Sequence, residues 1–248
     1  DRVLLHPRGN NSDGPGRCSL QDTHSNQELY QKRDQPQRFW PWPIPVCLRH
    51  RMDFSMNANS QTKKPKLSPE SLKMKKLAVI YHSAHGHTEH IAQHVAEGAG
   101  GMPDTEVHLV KAEELTSTPN NLLEFDGFLF GSPTYLGGVS GTFKNFMDST
   151  GGLWRTQQLK GKLAAGFTVS SLPAGDKQST LISLFTFCMQ HGMLWAGNPI
   201  LPEQHRGVPY DEAANRLGSW SGLMAQAGHS AAADSFVVGD IKTARMFG

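Results

Sequence analysis

The hydrophobic pattern of the chain changes near residue 74. Over residues 1–73 no apolar spacing of helical or strand type lasts for a whole element, and Pro, Gln, Asn, Ser and Arg are frequent. From Lys76 onward, short apolar runs alternate with segments of helical spacing. They predict strands at 76–82, 105–110, 126–131, 163–169 and 193–195, and helices at 88–99, 140–150, 179–191 and from 241 onward. We therefore expect one folded domain at 74–248, preceded at 1–73 by an irregular or disordered extension or an added segment.

The alternation of strands and helices indicates an α/β fold, with a parallel sheet and helices on both of its faces. Five such strands fit the doubly wound order 2-1-3-4-5. In that order, ligands bind beyond the carboxyl ends of the strands, where the strand order reverses. The ends of the first, third and fourth strands then lie together. Each of these ends is followed by a loop of unusual composition, so the sequence predicts a binding site there.

The loop after the first strand, Ser83–Thr88, is typical of an anion site. It leads directly into a helix, whose first N–H groups have no intrahelical partners, and its serine and threonine add hydroxyl donors. It lacks the GK[ST] ending of nucleoside-triphosphate loops, and no GxGxxG follows the strand. A terminal phosphate that is held and not transferred suits such a loop. An ordinary strand-to-helix turn is the alternative that these residues leave open.

The loop after the third strand carries an aromatic residue, Tyr135, between Pro133 and Gly137. Its backbone amides could contact the polar edge of a flat heterocycle, with Tyr135 or Leu136 against one face of the ring. A plain turn rich in glycine and proline is the alternative. The loop after the fourth strand, Ser170–Gly175, would close a further side of the same site.

Composition and charge narrow the classes of partner. The formal net charge of +2 is uneven, because residues 1–73 carry 12 Lys and Arg against 7 Asp and Glu, which leaves the remainder mildly acidic. We therefore expect no nucleic-acid partner. The three cysteines form no CxxC pair, which favours a reducing cytoplasm. We expect no membrane span, because no apolar run approaches the roughly 18 residues needed to cross a bilayer. The first residues show no signal-peptide pattern.

Several other side chains are candidates with more than one interpretation. Trp154 is expected either in the core or in the wall of a cleft near the ligand. His191, at the end of the predicted helix 179–191, would either cap the helix as a cation or reach the ligand. Cys188 has helical spacing among apolar residues and is expected to be buried and unreactive. The three histidines between positions 82 and 87 straddle a strand end and a loop, so no metal site is expected there.

Together these segments resemble the flavodoxin-like superfamily, in particular the NAD(P)H:quinone oxidoreductases of the tryptophan-repressor-binding-protein (WrbA) type and related NADPH-dependent FMN reductases. The resemblance covers about residues 75–248 and rests on YHSAHGHTE, on GSPTYLGGVSGTFKNFMDSTGGLW and on the later HGM. It implies a bound FMN, whose phosphate would contact Ser83, Ala84, His85, Gly86, His87 and Thr88. It implies a ring site made by Pro133, Thr134, Tyr135, Leu136 and Gly137, closed by Ser170, Ser171, Leu172, Pro173, Ala174 and Gly175.

The resemblance also implies a mechanism and an assembly. Trp154 would lie near the substrate, and His191 would lie at the flavin edge, a position that is often filled across a subunit boundary in a homodimer or homotetramer. NAD(P)H would deliver a hydride to the flavin, leave, and be replaced by a quinone that takes two electrons. The chemistry belongs to the cofactor, so no catalytic side chain and no metal are expected.

Two other functions remain open from the sequence. The first is a one-electron flavodoxin carrier, although such carriers usually present a strongly acidic face. The second is a regulatory interaction protein on the same fold, whose best feature is the aromatic and proline stretch Phe39–Pro45. The chain also departs from the family pattern at two places. Residues 111–125 form a short connection where relatives often carry an insertion, and Ser-Ser-Leu-Pro-Ala-Gly replaces a loop rich in glycine and threonine.

Overall fold

The structure, a computed structural model, describes residues 74–248. The expected extension at 1–73, with its stretch Phe39–Pro45, lies outside them. The strands are β1 (Lys75–Tyr81), β2 (Thr105–Lys111), β3 (Gly127–Tyr135), β4 (Gly138–Val139), β5 (Leu163–Ser170), β6 (Leu194–Trp195) and β7 (Leu223–Gln226). The α-helices are α1 (His87–Gly100), α2 (Ala112–Thr116), α3 (Gly141–Ser149), α4 (Gly151–Thr156), α5 (Lys177–Gln190) and α6 (Val238–Phe247). Short 3-10 helices lie at Pro119–Glu124, Glu203–Arg206 and Ala232–Asp234.

The central sheet is parallel, and its order is β2-β1-β3-β5, as the doubly wound pattern predicts. The fifth position differs from the expected single strand at 193–195. Two short strands share it: β6 pairs with the first residues of β5, and β7 pairs with its last four, from Phe167 to Ser170. Residues 196–222 leave the sheet between them. The strand nearest the carboxyl end of β5 is therefore β7, which the sequence pattern did not indicate.

Buried side chains on the two faces of the sheet form two separate cores. Along β1, Ala78 and Ile80 point to one face, where they meet apolar residues of α2, α3 and α5. Val79 and Tyr81 point to the opposite face, where they pack against α1 and α6. A strand that is apolar on both faces is what a central parallel strand requires. The expected layering of helices on both faces is confirmed.

The helix boundaries follow local chemistry closely. Ser140 precedes α3, and its Oγ accepts a hydrogen bond from the N–H of Phe143 at 3.2 Å, as expected of an N-cap. The last helix begins at Val238, three residues before the expected start.

Cys188 is fully buried in the core, and this burial raises the pKa of its thiol well above the ordinary range. Over residues 74–248, no helix has both the length and the apolarity to cross a membrane.

Candidate active site

A cleft of about 310 Å³ lies at the carboxyl ends of β1, β3 and β5, where the doubly wound order places a ligand. The loops after these three strands line it, together with residues that follow β7. The lining residues are Ser83, Ala84, His85, His87, Thr88, Pro133, Thr134, Tyr135, Val169, Ser170, Ser171, Ala227, Gly228 and His229. Among these described residues there is no aspartate or glutamate, so the electrostatics of the cleft favour an anion.

The loop between β1 and α1 has the geometry of an anion site. Gly86 adopts a left-handed conformation (φ 83°) at the N-cap of α1, which turns the chain sharply into the helix. Within the described residues, no side chain caps this 14-residue helix, so its first N–H groups are available to a ligand. The N–H of His82 donates to the oxygen of Gly131 at 3.0 Å and fixes the start of the loop against β3.

Two serine hydroxyls test whether a phosphate ligand fits this cleft. Ser83 Oγ and Ser170 Oγ are both buried, and neither has a hydrogen-bond partner among residues 74–248. A buried hydroxyl without a partner is costly, and such groups in native proteins mark a ligand, a water or a functional site. The two hydroxyls, the free helix amides and the absence of carboxylates in the lining form a donor set that suits a phosphate monoester. The residues present therefore fit the phosphate end of FMN.

The predicted ring site forms a hairpin at the edge of the cleft. β3 and β4 pair through Tyr135 and Gly138, and the two residues of the turn, Leu136 and Gly137, both have positive φ (48° and 83°). This is the turn that matches the twist of a hairpin, although leucine rarely occupies it. The Leu136 side chain is fully exposed, and Tyr135 is 44% exposed beside the cleft. The hairpin thus presents Tyr135 to the cleft, whereas Leu136 and Gly137 lie at its exposed tip and do not line the cleft.

Buried hydroxyls hold this hairpin in place from beneath. Thr134 Oγ1 donates to Thr180 Oγ1 of α5 at 2.8 Å and lies 2.8 Å from Thr168 Oγ1 of β5. Ser132 Oγ accepts from the N–H of Ser140 at 3.0 Å and so ties the strand end to the start of α3. The hairpin is therefore anchored to three neighbouring elements, α5, β5 and the start of α3.

The loop after β5 contributes only its first residues to the wall of the cleft. Ser170 and Ser171 line it, whereas Leu172, Pro173 and Ala174 are exposed beside it and Gly175 is half-buried. The role predicted for the later part of this loop stays a prediction.

A segment that sequence reasoning missed closes the phosphate side of the cleft. Ala227, Gly228 and His229 follow β7 and line the cleft opposite Ser83–Thr88. His87 Nε2 lies 3.1 Å from the oxygen of Ser230, which holds the segment to the first turn of α1. The four-residue run Leu-Met-Ala-Gln followed by Ala-Gly was the available signal. It is too short to be distinguished from the glycine- and serine-rich residues around it.

His191 and Trp154 lie together but line a different cavity. This cavity, of about 420 Å³, lies between α3, α4 and α5. His191 Nε2 is 2.9 Å from Thr150 Oγ1, and His191 Nδ1 is buried without a partner in the described part of the chain. Burial lowers the pKa of His191, which disfavours the interpretation as a capping cation. Trp154 is 50% exposed and lines a cavity wall, which excludes the interpretation as a core residue.

The histidines after β1 point to separate partners. His82 Nδ1 lies 3.3 Å from Glu113 Oε2, whereas His87 reaches across to Ser230 and His85 lines the cleft. Over residues 74–248, no three side chains of histidine, cysteine, aspartate or glutamate are placed to hold a metal ion together.

Comparison with known proteins places the chain in a family. The model of the NADPH-dependent FMN reductase family matches residues 75–205. The chain is 34% identical over 178 residues to "Flavodoxin FldP" of Pseudomonas aeruginosa, covering 70% of this chain and 93% of that protein. It is 34% identical over 163 residues to an "NAD(P)H dehydrogenase (quinone)" of Chromohalobacter salexigens, covering 55% and 81%. The crystal structure of a WrbA-like flavodoxin from Agrobacterium tumefaciens matches with a TM-score of 0.51 and 32% identity, covering 70% of this chain and 92% of that one. The chain belongs to the NADPH-dependent FMN reductase family of flavodoxin-like proteins.

Proposed function

We propose that the protein is an FMN-dependent NAD(P)H:quinone oxidoreductase. The observation that carries the proposal is the cleft at the strand ends. There, two buried serine hydroxyls that have no partner among residues 74–248 lie beside the N-terminus of α1 and a hairpin with an exposed tyrosine. The family model and the quinone dehydrogenase relative support the same activity.

In this proposal the FMN phosphate is held by Ser83–Thr88 and the ring lies against Pro133–Gly137, with Ser170–Gly175 at a further side. Bound FMN would supply the chemistry, which is two-electron transfer between NAD(P)H and a quinone. The chain binds and orients the cofactor. Exposed Tyr135 and Leu136 offer an apolar surface to one face of the ring, and the hydroxyl and amide donors neutralise the phosphate.

We further propose that the protein works as a homo-oligomer in which α5 faces a second copy. Within α5 (Lys177–Gln190), none of the residues exposed to solvent is charged, and the exposed positions include Ile182, Phe185 and Met189. An uncharged helix face with several exposed apolar side chains is typical of a protein interface. Trp154 and His191 lie beside this helix, in the cavity away from their own chain's cleft. Their predicted place near substrate and flavin edge is then reached across the subunit boundary.

A visible spectrum of the purified protein tests the proposed activity. FMN is added in increments, the excess is removed, and NADPH and then benzoquinone are supplied under anaerobic conditions. We expect retained yellow colour, bleaching with NADPH, and full recovery with one equivalent of benzoquinone. A chain that retains no FMN would contradict the proposal, and so would bound FMN that NADPH cannot bleach.

The similarity to Flavodoxin FldP supports one rival, a carrier that exchanges single electrons with protein partners. The same experiment separates the two, because a carrier binds FMN but does not react with NADPH. The proposal includes a cytoplasmic location, in keeping with the cysteine pattern, and cell fractionation tests it.

A further inference from the structure

Lys177 is a lysine in an unusual place. It is the first residue of α5, directly after the loop that follows β5, and it is completely buried. Its ammonium group donates to the backbone oxygen of Leu172 and, at 3.2 Å, to that of Pro173. Lysine is almost never fully buried unless its charge has partners. Here the partners are carbonyl groups of one short loop, so the ammonium group stabilises the conformation of that loop.

Two further contacts pull the same loop inward. The oxygen of Ser171 accepts from Gln226 Nε2 at 3.1 Å, and the oxygen of Ala174 accepts from the N–H of Lys177 at 3.0 Å. Gly175 folds back so closely that a Cβ there would lie 2.3 Å from Ser170 Oγ. Four consecutive carbonyl groups, from residue 171 to residue 174, are thus held by donors of the protein.

The inward carbonyls determine where the amides of the loop point. In a planar trans peptide the N–H of one residue points opposite to the carbonyl of the residue before it. The N–H groups of Leu172, Ala174 and Gly175 are therefore turned outward. None of the three donates to another residue in the part of the chain that the structure describes. The loop borders the cleft through Ser170 and Ser171, and the residues that carry the three amides follow these two directly in the chain.

We propose that Lys177 is a positioning residue, whose buried ammonium group orients the outward amides of Leu172, Ala174 and Gly175 to receive the polar edge of the flavin ring. The exposed side chains of this loop cannot hold it, because Leu172, Pro173 and Ala174 bury little apolar surface. The loop therefore depends on the hydrogen bonds made by its carbonyls. The flavin part of this proposal rests on the proposed function, whereas the ordering of the loop does not.

The charges around Lys177 make its role dependent on pH. Burial is the main cause that lowers the pKa of Lys177 to about 8, with Asp240 of α6 acting in the opposite direction and Arg216 adding to the decrease. Arg216 and Asp240 form an ion pair at 2.7 Å, and Asp211 lies 4.0 Å from Arg216. As pH rises through about 8 the amine loses its charge. Its hydrogen bonds to the loop carbonyls then lose their charge assistance.

The substitution Lys177→Met tests the proposal, because it keeps a long apolar stem and removes the donor. Lys162→Met is a matched control. Lys162 also donates to backbone oxygens, those of Leu122, Leu123 and Phe125, and burial also lowers its pKa, but it lies away from the cleft. NMR order parameters are measured on the flavin-free chain, and FMN affinity is measured by fluorescence quenching.

We expect Lys177→Met to lower the order parameters of Leu172, Ala174 and Gly175 from about 0.85 to below about 0.6. FMN affinity should fall by about tenfold, the effect of losing one charge-assisted hydrogen bond. Lys162→Met should change neither quantity. A Lys177→Met chain that keeps both the ordered loop and the wild-type affinity overturns the proposal. If the wild type binds no FMN, the proposed function fails while the order parameters still decide the role of Lys177.

A second variant keeps the proposal testable if Lys177→Met does not fold. Lys177→Gln keeps two N–H donors without a titratable group. We expect its FMN affinity at pH 7 to lie within about threefold of the wild type. The wild type should lose affinity between pH 7 and pH 9, whereas Lys177→Gln should not. A loss of affinity of equal size in both proteins over that range would overturn the proposal.

Discussion

The substitution Ser83→Ala should have opposite effects on the folded chain and on its complex with FMN. In the flavin-free chain Ser83 Oγ is buried and has no partner among residues 74–248. An unsatisfied buried hydroxyl costs about 1–3 kcal/mol. Removing it also removes some packing of the oxygen atom, so we expect the free energy of unfolding of the flavin-free chain to rise by roughly 1 kcal/mol.

The same hydroxyl should contribute to binding once a phosphate lies in the loop. A hydrogen bond to a charged group is worth about 1.5–3 kcal/mol. Because about 1.4 kcal/mol corresponds to a factor of ten in the dissociation constant, Ser83→Ala should weaken FMN binding by roughly 10- to 100-fold.

Urea denaturation of the flavin-free protein and FMN titration measure the two effects separately. Ser219→Ala is the matched control, because Ser219 is also buried but its Oγ donates to the oxygen of Gly222 at 2.6 Å, away from the cleft lining. The control should lose about 1 kcal/mol of stability and keep its FMN affinity. If Ser83→Ala destabilises the flavin-free chain as much as the control does, and binds FMN as the wild type does, the assignment of Ser83 to the phosphate is refuted.

Three further substitutions test other parts of the structure. Leu136→Asn should raise the free energy of unfolding in urea by about 1 kcal/mol, because asparagine tolerates the positive φ of this turn better than leucine does. The same variant should bind FMN more weakly in a titration. If neither quantity changes, Leu136 is neither strained nor in contact with the flavin. Burial, with His94 adding to it, lowers the pKa of His90, so the unfolded chain takes up this proton more readily and stability falls as pH drops below about 6.5. His90→Phe, which keeps the stack on Phe236, should reduce the stability lost between pH 7 and pH 5 in urea, and an unchanged loss would argue against this role. Ile182→Glu should convert the oligomer to a monomer in light scattering and weaken FMN binding, because His191 of a second copy would no longer reach the flavin edge; a monomeric wild type would remove the basis of the proposed assembly.

The central strands and the loops at their ends could be predicted because their signals are local. β1 and β3 each contain a continuous apolar run, Leu77–Tyr81 and Phe128–Phe130. The first run is followed by His82 and Ser83, and the second by Gly131, Ser132 and Pro133. Such a change in pattern within ten residues identifies the element. The predicted end of the third strand at 131 is four residues short, because β3 continues to Tyr135 where it pairs with β4. The switch point then follows from the order of the elements. The cleft lined by Ser83–Thr88 and Pro133–Tyr135 could therefore be predicted from the sequence.

Features that depend on distant contacts could not be predicted in the same way. β7 has only four residues, and it is a strand because β5 offers it the unpaired edge from Phe167 to Ser170. Lys177 looks like an ordinary exposed lysine at a helix start, and only the fold of the preceding loop buries it. The positive φ of Leu136 is likewise set by the pairing of β3 with β4.

The two strands that share the fifth position of the sheet flank residues 196–222, whose structure the sequence pattern did not predict. These residues are connected to the site through side-chain contacts. Residues 196–222 leave the sheet between β6 and β7 and carry Arg216, whose ion pair with Asp240 is buried. Asp240 accepts from the N–H of Gln226 at 2.9 Å, and Gln226 in turn holds the oxygen of Ser171 at the cleft. A buried ion pair that loses one partner leaves a costly unpaired charge. The order of the loop after β5 therefore depends on residues 196–222, although none of them lines the cleft.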